Sequence, residues 1–153
     1  MAEDTSATGA AHREITELVA AEDDSWNRGN AQAFAARVLP DVVFTNVIGM
    51  FSVGKAPFLA QHERIFATIY QGSVNHQDIK HVTMLKPDVA IVDTLSVVTG
   101  AKHVPPGIEL IDGAIHARLE QVLVRHEDGW WIASFHNVAV NPAAIAGGAP
   151  PRP

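Results

Sequence analysis

The spacing of apolar residues changes once along the chain, near Gly72, and this change limits the possible folds most strongly. Before it, segments 15–26, 31–39 and 55–70 carry apolar residues three and four positions apart, which predicts three amphipathic helices. After it, four long segments alternate apolar and polar residues, which predicts β-strands. Helices followed by strands favour an α+β fold, in which three N-terminal helices pack on one antiparallel sheet.

Glycine, asparagine and proline mark the ends of the predicted helices. Gly29 ends the first helix, Asn30 can cap the second with its side chain, and Pro40 ends the second. Between the second and third helices, the β-branched segment 41–54 predicts a strand, a turn and a short strand.

One domain is expected, because 153 residues are enough to bury a single hydrophobic core. We predict that the folded domain covers residues 10–141. The small polar residues of 1–9 and the Ala-, Gly- and Pro-rich residues of 142–153 predict disordered or loosely docked tails.

Composition and charge exclude several function classes. Hydrophobic residues make up 47% of the chain and charged residues 18%, which is typical of a soluble globular protein. The net charge of −6 argues against nucleic acid or an anionic membrane as a partner. Because the chain has no cysteine, disulfides, thiolate metal sites and a cysteine nucleophile are excluded. The sequence shows no secretory signal and no membrane-spanning run, so we expect a cytoplasmic protein.

A pocket for a small molecule is expected on the sheet. Four long strands must twist, and a strongly curved sheet leaves a hollow on its concave side that helices can cover. Such a hollow is the natural place for a small ligand. Neither a metal nor a cofactor is predicted, because the sequence lacks an HExxH motif and a Gly-x-Gly-x-x-Gly motif.

Several segments, taken in order, resemble the nuclear transport factor 2-like (NTF2-like) superfamily, and more narrowly the SgcJ/EcaC-type family of its SnoaL-like members. The segments are SWNRGN (25–30), FTNVIGMFSVGK (44–55), HERIFATIYQGS (62–73), LKPDVAIVDT (85–94) and RHEDGWWIASFHN (125–137). The resemblance implies a cone-shaped α+β barrel with a pocket inside the cone, usually assembled as a homodimer. Two residues depart from the family pattern, since Asn30 replaces a usual Asp and Trp131 stands where a basic or polar residue is common.

Two titratable residues on apolar faces are candidates for chemistry. Asp93 alternates with Ile91 and Leu95, and a poorly hydrated carboxylate on such a face can serve as a general base. The alternative is that Asp93 faces a strand end, solvent or a dimer partner. His62 lies on the apolar face of the third helix, where it either contacts a ligand or is packed with one hydrogen bond.

The last two strands form a hairpin, and its turn determines which side chains face the hollow. A two-residue turn at Asp128-Gly129 places Gln121 opposite His136. His136 and Asn137 then point to opposite sides of the sheet, unless a β-bulge intervenes. The expected pairs are Glu127 with Trp130, Leu123 with Ser134, Gln121 with His136, and Leu119 with Val138.

Each face of this hairpin receives a predicted role. The face predicted to be concave, and to line the pocket, carries Trp130, Ile132, Gln121 and His136. The face predicted to be convex, and to form a dimer, carries Glu120, Phe135 and Asn137. A slip of one residue in the turn would reverse both assignments.

Asn46 and Trp26 complete the predicted lining of the pocket. Asn46 shares a strand face with Phe44, so its side chain can donate to a ligand carbonyl or simply end the strand. Trp26 fits the core face of the first helix, where packing is the alternative to ligand contact.

Three functions follow, in order of preference. The first is a protein that binds a small hydrophobic or aromatic molecule, with a cavity beside His62 and His136, and that can act as an enzyme of secondary metabolism. Its chemistry would be the proton transfer next to a carbonyl used by polyketide cyclases and isomerases, with Asp93 or His136 as base and Gln121 and Asn46 stabilising the enolate oxygen. The second is a non-catalytic binding or dimerisation module. The third is an oxidoreductase, which the family label implies but no dinucleotide motif supports.

Overall fold

The computed structural model describes the backbone of residues 2–146 and the side chains of residues 7–144. Helices precede the four long strands, so the predicted α+β class is confirmed. The elements are α1 (Ala2–Asn27), α2 (Ala31–Phe34), β1 (Val38–Thr45), β2 (Phe51–Val53), α3 (Lys55–Ala67), β3 (Val74–Lys86), β4 (Val89–Thr99), β5 (Ile115–His126), β6 (Gly129–Ala139) and α4 (Pro142–Ala146).

The six strands form one curved sheet in the order β2-β1-β6-β5-β4-β3. The pairs β1–β2, β3–β4, β4–β5 and β5–β6 are antiparallel, but β1 runs parallel to β6, so the sheet is mixed rather than wholly antiparallel. The sheet does not close, because β2 and β3 lie at its two opposite edges. Parallel pairing of β1 with β6 joins residues about 90 positions apart, which apolar spacing within each segment cannot specify.

The second helix is much shorter than its apolar spacing predicts. α2 ends at Phe34, and β1 begins at Val38, which pairs with Ile132 of β6. Pro40 therefore lies inside a strand, within a register shift between Val38 and Val43 where the ladder is interrupted and a missing N–H is tolerated. The predicted helix cap is present, since the Asn30 side chain accepts a hydrogen bond of 3.0 Å from the Ala33 backbone N–H.

Both predicted tails contain helical residues. α1 begins at Ala2, within the segment 1–9, and α4 covers Pro142–Ala146. Residues 147–153 lie outside the described part of the chain, so the limits of the folded domain stay a prediction. Among the described residues, no helix is both long enough and apolar enough to span a membrane.

The hydrophobic core lies between the helices and the concave face of the sheet. Ile15 of α1 and Phe58 of α3 are fully buried against Val92, Leu123 and Ile132 of the central strands. Among the described residues, α1, α2 and α3 pack on this face, and side chains of the outer face such as Glu120, His136 and Val138 are exposed.

Candidate functional site

A cavity of about 410 Å³ lies between α3 and the concave face of the sheet. Loop residues 46–50, which follow β1, and residues 103–106, which follow β4, line its mouth. Most of its wall is apolar, and five aromatic rings contribute to it: Trp26, Phe34, Phe44, Tyr70 and Phe135. Cavities of this size and lining are typical of sites for small organic molecules.

His62 lies in this wall, inside a cluster of aromatic rings. Its imidazole centroid is 4.3 Å from the ring of Phe58, 4.7 Å from that of Phe34 and 5.4 Å from that of Phe44. The side chain is 3% exposed. The predicted position of His62 on an inward-facing helix surface agrees with the structure, and its contact with a ligand stays a prediction.

The hydrogen bond of His62 determines what its ring offers to the cavity. Nδ1 lies 2.7 Å from the Phe58 carbonyl oxygen. A carbonyl only accepts, so Nδ1 carries the hydrogen and Nε2 keeps a free lone pair. Burial lowers the pKa of His62 to about 4, although the bond to Phe58 opposes this shift. At neutral pH the ring is therefore an uncharged hydrogen-bond acceptor.

Other polar side chains complete the lining. Burial raises the pKa of Tyr70 to about 12, so its phenol keeps its hydrogen and can donate. Trp26 donates from Nε1 to the Ser73 hydroxyl over 2.9 Å and leaves its ring as cavity wall. Asn46 lines the mouth as predicted, but its Oδ1 accepts from the Ile48 and Met50 backbone N–H groups, which makes it a turn-forming residue as well.

The β5–β6 hairpin differs from its predicted register in two ways. The turn is centred on Glu127-Asp128, and Trp130 pairs with Arg125 instead of Glu127. This two-residue shift leaves every side chain on its predicted face. A β-bulge at Ala133 then adds one unpaired residue between Ile132 and Ser134, which reverses the faces of β6 beyond it.

The bulge changes the assignment of three predicted site residues. Gln121 now pairs with Phe135, and Glu120 pairs with His136. Phe135 and Asn137 line the cavity, so their assignment to the convex, dimer-forming face was wrong. His136 lies on the outer face, so its assignment to the pocket was also wrong. Gln121, Trp130 and Ile132 are buried on the concave side, as their predicted face requires, but none of them belongs to the lining of the cavity.

Asp93, Glu120 and His136 are neighbours on the outer face of the sheet. Asp93 pairs with Glu120 across β4 and β5, and Glu120 pairs with His136 across β5 and β6. The pKa of Glu120 is raised by loss of hydration and by the adjacent Asp93 carboxylate. Asp93 and His136 are therefore separated from the cavity by the sheet, and neither can act as a base on a ligand inside it.

Two acidic residues of α1 form a polar network behind the cavity, and the sequence-based predictions missed it. Glu22 is 4% exposed, and its Oε2 accepts from the side-chain amides of Gln77 at 3.0 Å and Gln121 at 2.8 Å. Asp23 accepts from the Asn75 side chain at 3.1 Å and from the Gln77 backbone at 2.9 Å. A signal existed, since Glu22 continues the helical spacing of Ile15 and Val19 along the buried face.

The described residues hold no group of three or more His, Cys, Asp or Glu side chains arranged to bind a metal ion. Apart from the Arg64 guanidinium and the His103 imidazole, the polar side chains that line the cavity are uncharged acceptors and donors. This arrangement suits recognition of an uncharged organic molecule.

Comparison with solved structures identifies the fold. An uncharacterized protein with a cystatin-like fold from Caulobacter vibrioides superposes with a TM-score of 0.78 at 24% identity, over 90% of this chain and 95% of that one. An NTF2-like protein of unknown function from Shewanella oneidensis gives 0.69 at 18% identity, over 83% and 98%. A ketosteroid isomerase-like protein from Erwinia carotovora atroseptica gives 0.66 at 20% identity, over 85% and 96%.

The fold is NTF2-like. No protein-family model matches the chain, and no curated protein matches it in sequence. At these identities the likeness establishes the NTF2-like fold alone, so a function has to be argued from the cavity itself.

Proposed function

We propose that the NTF2-like cavity binds a small aromatic molecule that carries hydroxyl groups. The observation that carries this proposal is the position of His62, a neutral acceptor inside an aromatic wall of a 410 Å³ cavity. An apolar ring system satisfies the aromatic wall, and a hydroxyl on that ring satisfies the free lone pair of His62.

A second acceptor supports the same ligand class. The Ser96 hydroxyl donates its hydrogen to Asn75 Oδ1 over 2.6 Å, so it can only accept from a ligand. Ser96 and Tyr70 both line the cavity, and the Tyr70 phenol can donate to a carbonyl oxygen. The lining therefore favours an aromatic molecule with two hydroxyl donors and one carbonyl acceptor.

Secondary metabolism supplies molecules of this kind, and we propose the SgcJ/EcaC-type family on the ordered set of five sequence segments between residues 25 and 137 that resemble it. Isomerase or cyclase chemistry next to a carbonyl is the catalytic form of this proposal. Binding has the stronger support, because the pKa of His62 at about 4 makes it a weak base at neutral pH.

Binding can be tested with 1,3-dihydroxynaphthalene and, as a ligand without hydroxyls, naphthalene. Quenching of tryptophan fluorescence reports both titrations, because the Trp26 ring lines the cavity. We expect the wild type to prefer the diol by about tenfold for each hydroxyl that donates to a buried acceptor.

His62→Phe keeps an aromatic ring but removes one acceptor, so we expect the preference for the diol to fall by about tenfold, while the part that Ser96 supplies remains. Glu63→Gln, a change at the exposed neighbouring residue, is the matched control and should bind like the wild type. An equal preference in the wild type and His62→Phe would contradict the role of His62. Failure of both molecules to bind the wild type would contradict the proposed ligand class.

The outer face of the sheet supports a second proposal, a homodimer. Val138 of β6 is 54% exposed there, and the half-buried Leu95 and Val97 lie on the same face two strands away, on β4. The acidic pair formed by Asp93 and Glu120 lies in the same shallow pocket as Lys80 and Arg118, so two copies related by a two-fold axis can place opposite charges together.

Light scattering at micromolar concentration tests this assembly. We expect Val138→Asp to give monomers because it buries a charge in the interface. Val53→Asp changes a valine that is 57% exposed on the edge strand β2, and it should remain dimeric. A monomeric wild type would contradict the proposal.

A further inference from the structure

The polar network behind the cavity contains two buried oxygen atoms without a hydrogen-bond partner among the described residues. They are Oε1 of Glu22 and Oε1 of Gln121. The same two side chains already share one bond, since Gln121 Nε2 donates to Glu22 Oε2 over 2.8 Å. Two buried acceptors without donors in one cluster are costly, unless a hydrogen lies between them.

We propose that Glu22 is a neutral carboxylic acid that forms a cyclic pair with the Gln121 carboxamide. In this pair, Gln121 Nε2 donates to Glu22 Oε2, and the acid hydrogen on Glu22 Oε1 is donated to Gln121 Oε1. Both orphan oxygens then have a partner. We propose further that this pair holds the polar wall of the cavity in one hydrogen-bond direction, which makes Glu22 a positioning residue.

The surroundings of Glu22 favour the neutral form. Its hydrogen-bond partners are uncharged amides, Gln77 from β3 and Gln121 from β5. The charged group beside it on α1 is another acid, Asp23, and the ring of His76 on β3 lies 3.9 Å from Asp23. Burial raises the pKa of Glu22 to about 7, the two amide bonds lower it, and Asp23 raises it.

Gln77 connects Glu22 to the cavity wall, because its Nε2 donates to Glu22 Oε2 over 3.0 Å and to Asp23 Oδ1 over 3.3 Å. Gln77 donates its amide hydrogens to the acids of α1 and accepts from the Thr94 hydroxyl at 2.9 Å. Asn75, two residues before Gln77 on β3, makes the corresponding bonds: its side chain donates to Asp23 and accepts from the Ser96 hydroxyl. Both chains therefore run from a β4 hydroxyl through a β3 amide to an α1 acid. This direction is the reason that Ser96 presents an acceptor to the ligand, a step that rests on the proposed function.

Infrared difference spectroscopy of the full chain tests the protonation directly. A neutral carboxylic acid has a C=O stretch that is separate from carboxylate and amide bands. We expect this band in the wild type at pH 6, its loss on titration to pH 9, and a clear loss of its intensity in Glu22→Gln, in which only a contribution from Asp23 and Glu120, whose pKa values are also raised, can remain. The matched control Glu17→Gln, at an exposed position of the same helix, should keep the band. A wild type without the band at pH 6, or a band of undiminished intensity in Glu22→Gln, would overturn the proposal.

Ligand titration with 1,3-dihydroxynaphthalene tests the positioning role. Glutamine at position 22 can form both bonds of the cyclic pair, so Glu22→Gln should bind at pH 6 like the wild type and lose the dependence of affinity on pH. Glu22→Leu removes the pair, and we expect it to bind about tenfold more weakly. A wild type whose affinity is the same at pH 6 and pH 8, where the hydroxyls of the ligand still carry their hydrogens, would refute the positioning role. The infrared result does not require a ligand, so failure of the proposed function and failure of the acid–amide pair give different outcomes.

Discussion

Replacing Glu22 by Gln should leave the free energy of unfolding unchanged at pH 4 and raise it at pH 8. The pKa of Glu22 is raised from 4.5 to about 7 by burial in the folded protein. Between these two pH values the folded chain holds a proton that the unfolded chain has released. The stability that the neutral acid contributes is therefore complete below pH 4.5 and is lost as the pH rises through about 7.

The size of this effect follows from the same interval. Each pH unit over which one extra proton is bound changes the free energy of unfolding by about 1.4 kcal/mol. Over the interval from 4.5 to about 7, the wild type loses about 3 kcal/mol that Glu22→Gln keeps. Glutamine carries no titrating proton, so the stability of the variant does not fall with rising pH for this reason. It also has the shape needed to pair with Gln77 and Gln121, so the substitution leaves no new cavity.

Urea unfolding followed by tryptophan fluorescence, at half-unit steps from pH 4 to pH 8, measures the difference. We expect Glu22→Gln to match the wild type at pH 4 and to exceed it by about 3 kcal/mol at pH 8. The exposed Glu17→Gln change should track the wild type throughout. A variant that is less stable than the wild type at pH 8, or a difference that does not change with pH, would refute a buried neutral acid at this position.

Three further changes have defined outcomes. The pKa of His62 is lowered to about 4 by burial, so the stability of the wild type relative to His62→Phe should fall by about 3 kcal/mol between pH 6.5 and pH 4, measured by the same urea titrations. Phe58→Ala empties a fully buried site among the rings around His62 and should cost about 3–5 kcal/mol of unfolding free energy. Asn30→Ala removes the cap of α2 and should cost about 1 kcal/mol, whereas Ala at the exposed Gln32 should cost little.

The helix-then-strand order of the fold is predictable because apolar residues recur every three to four positions in a helix and every second position in a strand. The cap at Asn30 is local in the same sense, since one side chain bonds an N–H three residues away. The end of α2, in contrast, depends on a distant part of the chain. Val38 continues the helical spacing of 31–39, but it forms part of β1 because it pairs with Ile132, nearly a hundred residues later.

The candidate site was predictable in part for the same reason. His62 and Trp26 could be placed because helical spacing alone assigns them to the buried face. Glu22 shares that spacing, yet glutamate is seldom fully buried, so an acid among regularly spaced apolar residues is usually expected to be exposed. Its amide partners, Gln77 and Gln121, lie on strands 55 and 99 positions away. No local pattern shows that these amides converge on one carboxyl group.

The β-bulge at Ala133 shows that the free energy of burying side chains can determine the register of a strand where strict alternation predicts the wrong one. Continued alternation from Trp130 and Ile132 would turn Ser134 and His136 to the core and leave Phe135 outside. Burying a phenylalanine ring stabilises a protein by roughly 2–3 kcal/mol, and burying an unpaired imidazole opposes folding. One extra small residue at Ala133 reverses both outcomes, so Phe135 is 4% exposed and His136 lies on the outer face. The three-residue spacing from Ile132 to Phe135 was the signal in the sequence, because a strand that buries both must contain a bulge between them.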